Sequence, residues 1–184
     1  MRYNVAQLIK GPTGASRSYE FCEDIGNLDP GLEPICPLEG RITFLRTSQG
    51  ILVTGKLHTT LRAECQRCLE LYDTEVEIDL EEEFLPLVAI GDAPVDPVPE
   101  VELDEALLIG GDHILDLREV IRQDLWLAQP MEGICRPDCA GICPQCGGNR
   151  NLGECHCETE DIDPRWSVLQ ALLSEEPDSH ERSD

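Results

Sequence analysis

Eight of the ten cysteines stand in four close pairs: Cys65/Cys68, Cys135/Cys139, Cys143/Cys146 and Cys155/Cys157. Eight thiolates make two complete tetrahedral sets, and a zinc held by four cysteines has no open coordination position. Such a site holds a chain together and leaves no place for substrate. The pairs therefore point to a metal-stapled binding protein and away from a metalloenzyme. Five disulfides are the other use of ten cysteines, but disulfides persist only in oxidising compartments. The start, Met1 to Lys10, alternates apolar and polar residues and has no apolar core of a secretory signal. The expectation is a cytoplasmic chain with reduced thiols. Cys22 and Cys36 stand alone and are expected to be buried and inert.

Cys143-Pro144-Gln145-Cys146-Gly147 has the form of a metal knuckle. Two intervening residues let both sulfurs reach one ion. Backbone N–H groups of the turn then face the thiolates, and Gly147 supplies a positive φ. Cys155 and Cys157 follow after eight residues, which makes a compact local set. Four pairs group into two sites in three ways. Short loop closure favours 143/146 with 155/157, which leaves Cys65/Cys68 to join Cys135/Cys139. The expected cofactor is zinc, two ions in all. His156 could replace a neighbouring cysteine, but four thiolates already suffice. The knuckle spelling also suits an iron site or a cycling dithiol, so a redox or electron-transfer protein is the alternative reading.

Charge narrows the choice of partner. The formal net charge is −23, and it is unevenly spread. Residues 1–68 carry eight bases and seven acids, whereas residues 69–117 carry sixteen acids and no Lys or Arg. Phosphate affinity comes mainly from Lys and Arg, so direct nucleic-acid contact is disfavoured. If it occurs, it should use Arg41, Arg46, Lys56, Arg62 and Arg67 in the balanced part. The acidic run suits a basic partner, with Glu75, Glu77, Asp79 and Glu81 as its contact residues. A solvated, solubilising face is the plainer reading of the same run. No apolar stretch reaches the roughly 18 residues of a membrane span, and no Walker, GxGxxG or Ser/His/Asp pattern is present.

The period of the apolar residues predicts the elements. Tyr3 to Ile9 alternates and predicts an opening strand, Gly11 to Gly14 a turn, Ser16 to Cys22 a partner strand, and residues 23–37 a loop. Arg41 to Thr47, a turn at Ser48-Gln49-Gly50 and Ile51 to Glu64 predict a hairpin. In Ile51 to Glu64, Ile51, Val53, Leu57, Leu61 and Ala63 face one side, and Thr54, Lys56, His58, Thr60 and Arg62 the other. Thr74 to Phe84 alternates again, with Val76, Ile78 and Leu80 inward. The first cysteine pair thus lies at the tip of a long hairpin. Gly91 to Glu100 reads as a proline-rich loop and Leu103 to Ile109 as a short strand. Asp116 caps a helix in a capping-box pattern with Glu119, and Pro130 closes it. Asp163-Pro164 opens a short last helix with Trp166, Leu169, Leu172 and Leu173 on its apolar face.

Leu61-Arg62-Ala63-Glu64-Cys65-Gln66-Arg67-Cys68-Leu69 resembles the C-x-R-C-L hairpin tip of the YceD family, also called large ribosomal RNA subunit accumulation proteins. Asp116-Leu117 leading into Leu125 to Pro130 is similar to the family's helix. Cys139 to Gly147, Asn151-Leu152 and Cys155-His156-Cys157 resemble its longer cysteine module, and Asp163-Pro164-Arg165 also fits. The resemblance covers most of residues 40–175. It implies a part in building the large ribosomal subunit and no defined reaction.

The expected fold is α+β: a mainly antiparallel β-sheet with a long hairpin, one covering helix, a Cys-rich zinc-binding module and a short C-terminal helix. Residues 1–130 form the sheet domain, 131–175 the cysteine-rich module with the last helix, and 176–184 a disordered tail. The expected function is that of a non-enzymatic ribosome biogenesis factor needed for large-subunit rRNA accumulation. Its partner is expected to be a basic ribosomal protein or a pre-large-subunit particle, with no membrane contact.

Overall fold

A computed structural model describes residues 1–87, 104–153, 155–157 and 164–166. It divides into two compact units, Met1–Cys139 and Ala140–Asp184. The boundary expected at 130 and the one observed after Cys139 differ by the segment that carries Cys135 and Cys139.

The first unit is α+β, built on the long hairpin. Strands β4 (Leu38–Arg46), β5 (Ile51–Glu64) and β6 (Leu71–Pro86) follow one another as an antiparallel meander, and β2 (Ser16–Glu23) adds to the outer side of β4. Each of the 14 residues of β5 has a partner on β6, from Ile51↔Phe84 to Glu64↔Leu71. The two-residue alternation sorts the faces as expected. Ile51, Val53, Leu57 and Leu61 of β5 and Val76, Ile78, Leu80 and Phe84 of β6 are buried. Lys56, His58, Arg62, Glu75, Glu77, Asp79 and Glu81 are exposed.

One helix of more than two turns covers the buried face. In α2 (Arg118–Ala128), Val120, Ile121 and Leu125 turn to the sheet. Burying each such side chain contributes roughly 1.5–3 kcal/mol relative to exposure. The helix stops at Gln129, whose extended backbone (φ −64°, ψ 139°) is the conformation that Pro130 imposes on the residue before it. At its start, Asp116 Oδ1 accepts from the Arg118 N–H at 3.1 Å. The expected capping box does not form: the residue at the cap is Leu117, which makes no side-chain cap bond, and Glu119 accepts from Arg122 and Gln123.

The N-terminus departs from the expected strand. Only Arg2–Asn4 (β1) is extended, and it pairs with β8 (Ile114–Asp116), not with Ser16 to Cys22. Asn4 Oδ1 accepts from the Ala6 N–H at 3.1 Å, and the chain turns into α1 (Ala6–Ile9). Val5, Leu8 and Ile9 are all buried, which is helical spacing hidden inside an alternating run. Tyr3 packs edge-on against Phe44 of β4, with ring centroids 5.0 Å apart, and stacks the terminal ribbon on the core. Two more elements are smaller or newer than expected. Glu33–Pro34 (β3) pairs with Leu61 and Arg62 of β5 inside the predicted loop. Of the strand expected over Leu103 to Ile109, Leu103 lies outside the described residues, and of the rest only Leu108–Ile109 (β7) forms a strand, parallel to Leu85 and Pro86, because Asp104 caps a 3-10 turn at Glu105–Leu107.

In the second unit, the Cys143–Gly148 knuckle and a 3-10 turn at Arg150–Leu152 lie side by side, joined by an Ile142↔Asn149 bridge. Of the last helix expected from Asp163, only Pro164–Trp166 is described, as a 3-10 turn. The proline-rich loop 91–100, the rest of the expected helix and the tail 176–184 lie outside the described residues. No described helix is long and apolar enough to cross a membrane.

Candidate metal centres and the acidic face

The hairpin reverses through a knuckle. Leu69 N–H donates to the Cys65 carbonyl at 2.8 Å, and Cys65 N–H donates to the Glu70 carbonyl at 2.9 Å. Gln66 N–H reaches the Gly133 carbonyl at 2.8 Å, so the chain leaving α2 docks on the knuckle. That docking brings Cys135 and Cys139 onto Cys65 and Cys68. The second knuckle repeats the first locally: Gly147 N–H donates to the Cys143 carbonyl at 2.8 Å, and Cys143 N–H to the Gly148 carbonyl at 2.8 Å. Gly147 takes φ +71°, as its place in the knuckle predicts. Leu69, its counterpart, takes φ +62° despite its side chain.

Two four-sulfur clusters result, Cys65/Cys68/Cys135/Cys139 and Cys143/Cys146/Cys155/Cys157, each with its sulfurs within 4.8 Å of one another. Every cysteine is a free thiol, so the five-disulfide use of the sequence is overturned. The spacing suits a tetrahedral ion. A Zn–S bond of about 2.3 Å sets a sulfur–sulfur edge of about 3.8 Å. The separations are 3.9 Å for Cys65–Cys139, 3.7 Å for Cys68–Cys135 and 3.7 Å for Cys146–Cys155. Four soft donors at this spacing can hold one metal ion per cluster. His156 lies outside the four-sulfur set.

The thiols of each cluster differ in acidity. Burial raises the Cys65 thiol, but N–H groups of Cys68, Cys135 and Arg67 aim at its sulfur and bring it down to about 6. Burial, then the neighbouring thiols, push Cys135 up to about 12. In the second cluster the N–H groups of Cys146 and Gln145 bring Cys143 down to about 6, while hydrogen bonds with the Cys146 and Cys155 thiols push Cys157 up to about 12. A cation bound in either cluster would draw the proton off the thiol that its surroundings raise, Cys135 in the first and Cys157 in the second. Cys65, Cys68 and Cys139 are buried, whereas Cys143 alone is buried in the second cluster.

Cys22 and Cys36 are not the buried thiols expected. Cys22 points outward from β2 to Glu39, and Cys36, just before β4, is exposed and accepts from the Thr60 N–H at 3.3 Å.

The basic residues singled out in the sequence do not form a face of their own. Register places Glu20, Arg41, Lys56 and Asp79 in one row across four strands. Arg41 pairs with Glu20, Lys56 with Asp79 at 2.7 Å, and Arg62 with Asp73 at 3.3 Å. Arg46 donates to three main-chain carbonyls, of Ile9, Thr47 and Gly50, and so serves the β4–β5 turn. Arg67 has no carboxylate partner among the described residues. Beside these bases, the outward row of β6 is Asp73, Glu75, Glu77, Asp79, Glu81 and Glu83, six acids without interruption. Glu75, Glu77 and Glu81 have no ion pair among the described residues. Sequence reasoning missed Glu82, an acid on the inward parity opposite buried Val53. Burial raises its carboxyl, and so do the charges of Asp124 and Asp104.

Residues 53–173, which include all eight paired cysteines, match the family model described as Large ribosomal RNA subunit accumulation protein YceD. An uncharacterized protein of Mycobacterium tuberculosis is 34% identical over 184 residues, covering 97% of this chain and 84% of the relative. An uncharacterized protein of Mycobacterium leprae is 27% identical over 137 residues, covering 74% of this chain and 58% of the relative. A Zea mays protein named large ribosomal RNA subunit accumulation protein YCED homolog 1, chloroplastic, is 22% identical over 176 residues, 84% of this chain and 60% of its own length. No solved structure matches the chain significantly.

Proposed function

The chain belongs to the YceD family, and from that premise we propose that it is a non-enzymatic cytoplasmic factor supporting large-subunit rRNA accumulation through a basic protein partner. The observation that carries the partner is the outward row Asp73, Glu75, Glu77, Asp79, Glu81 and Glu83. Carboxylates at every second residue give that strand a negative potential over its length, which attracts a basic protein and repels phosphate. The only two bases directly opposite, Lys56 and Arg62, are already engaged by Asp79 and Asp73. The partner in this reading is a basic ribosomal protein, free or on a pre-large-subunit particle.

The eight paired cysteines hold two zinc ions in this reading. Each ion has four sulfur ligands and no position for water or substrate, so it supplies structure and no reaction. Elemental analysis with a visible spectrum tests the metal: about two colourless zinc ions per chain are expected, and stoichiometric iron with visible absorption would favour the electron-transfer alternative.

The role is tested by depletion and complementation. Depletion lowers large-subunit rRNA relative to small-subunit rRNA. Wild-type protein restores it, and a variant with Glu75→Lys, Glu77→Lys and Glu81→Lys does not. Unchanged rRNA after depletion removes the reading. Full rescue by the charge-reversed variant removes the acidic row from it.

A further inference from the structure

We infer that the open edge of β6 takes up an extended basic peptide segment of the partner as an added β-strand. The inference deepens the proposed role and rests on its acidic-face reading. An interior strand hydrogen-bonds on both sides. β6 pairs with β5 along its length, but on its other side the described residues pair it only at Leu85 and Pro86, with β7. From Leu71 to Phe84 no described strand lies on that side. Along such a run, alternate residues direct their N–H and C=O groups to the open side, where they are a template for another strand.

Long edges are normally blunted by shortness, proline, a bulge or a covering element. β6 is the longest strand among the described residues at 16 residues. Its one proline is its last residue, Pro86, and its register with β5 advances without a bulge from Leu71 to Phe84. The device present is charge, and it selects as well as protects. A second copy of β6 laid on this edge would set carboxylates beside carboxylates, which is unfavourable. The occupant is therefore a strand of opposite charge. Glu75, Glu77 and Glu81, free of ion pairs among the described residues, want Lys or Arg at matching alternate positions of the incoming strand. Its other face runs beside the buried row Val76, Ile78 and Leu80 and is apolar. Main-chain bonds supply affinity and the alternation supplies selectivity, as in other strand-addition complexes.

The test uses the full zinc-loaded chain and synthetic peptides of about ten residues, a typical strand length or slightly more. One alternates Lys with Val and Thr. A second has the same charge but proline at alternate positions, so that it cannot add to a sheet. A third replaces Lys by Glu. Fluorescence anisotropy at near-physiological salt is expected to show the first binding at least about tenfold more tightly than the second, with no binding by the third. Glu75→Gln, Glu77→Gln and Glu81→Gln together weaken the first by about tenfold. Hydrogen exchange in the complex slows at amides within Leu71–Phe84. Equal binding of the first two peptides overturns the inference in favour of diffuse charge attraction. So does edge protection already complete in the free protein, or preference for an RNA oligomer over every peptide. These readings concern the edge alone, whereas rRNA levels after depletion concern the role, so the two can fail separately.

Discussion

Leu69 and Gly147 occupy the same place in their knuckles, one residue after the second cysteine, and both have left-handed backbone. For a residue with a Cβ that conformation costs roughly 1–2 kcal/mol. Glycine avoids the cost but carries about 0.5–1 kcal/mol of extra chain entropy. Leu69→Gly is therefore expected to stabilise the protein by about 0.5–1 kcal/mol, measured by denaturant unfolding. Leu69 is 55% exposed, so little packing is lost with it. Gly147→Ala should cost about 1 kcal/mol, through backbone alone, because an added Cβ meets nothing within 4 Å. Glu82 gives a pH-dependent case. Its folded carboxyl is raised, so its proton stabilises the fold, and the stability it contributes is lost as pH rises through the folded value. Glu82→Gln should raise the melting temperature at pH 7, and the difference should close as pH falls below about 4. Gly147 was legible in the sequence because its turn demands it. Leu69 was not, because no residue type announces a left-handed leucine.

At the scale of elements, hydrophobic period decided what could be read. The β5–β6 hairpin was legible because each strand has one buried and one wet face, and a slip of one residue would exchange them. The first ten residues were misread for the complementary reason. Val5, Leu8 and Ile9 serve a single helical turn, and four residues are too few to separate the two periods. The Tyr3↔Leu115 pairing joins residues more than a hundred positions apart, which no local pattern records. Arg46 shows the same limit. As a base in a balanced segment it reads as a contact residue, yet its guanidinium holds the carbonyls of Ile9, Thr47 and Gly50 and ties the β4–β5 turn to α1. Arg46→Met should destabilise the protein by about 1.5–3 kcal/mol, read from denaturant unfolding. A variant that unfolds like wild type would return Arg46 to the surface.

For the whole molecule, the two clusters carry unequal shares of the architecture. Their cysteine sets were legible because knuckles have a fixed spacing, and the long-range pairing followed once the compact set was closed. The consequence for stability follows from where the ligands sit. Cys65 and Cys68 end a hairpin and Cys135 and Cys139 follow the helix that covers it, so the first cluster closes the sheet unit on itself. The second lies wholly within Ala140–Asp184. A structural zinc contributes around 10–16 kcal/mol of apparent binding energy, comparable with the entire stability of a domain at about 5–15 kcal/mol. Cys135→Ser with Cys139→Ser should therefore lower the melting temperature of the sheet by well over about 10 °C. Cys143→Ser with Cys146→Ser should move it by less than about 3 °C while removing any metal held by the second cluster. Acid should have a related effect. The Cys65 and Cys143 thiols are depressed to about 6 from an ordinary value of 9.0, so their ionised contribution is present above that ordinary value and lost as pH falls through about 6. Release of a bound metal, followed with a chromogenic chelator, should accelerate as pH falls, because protons compete with the ion for the thiolates. The more open second cluster should empty first, since Cys146 is exposed and Cys65, Cys68 and Cys139 are not. Release from the buried cluster first, or loss of the sheet transition on mutating only the second, would reverse these assignments.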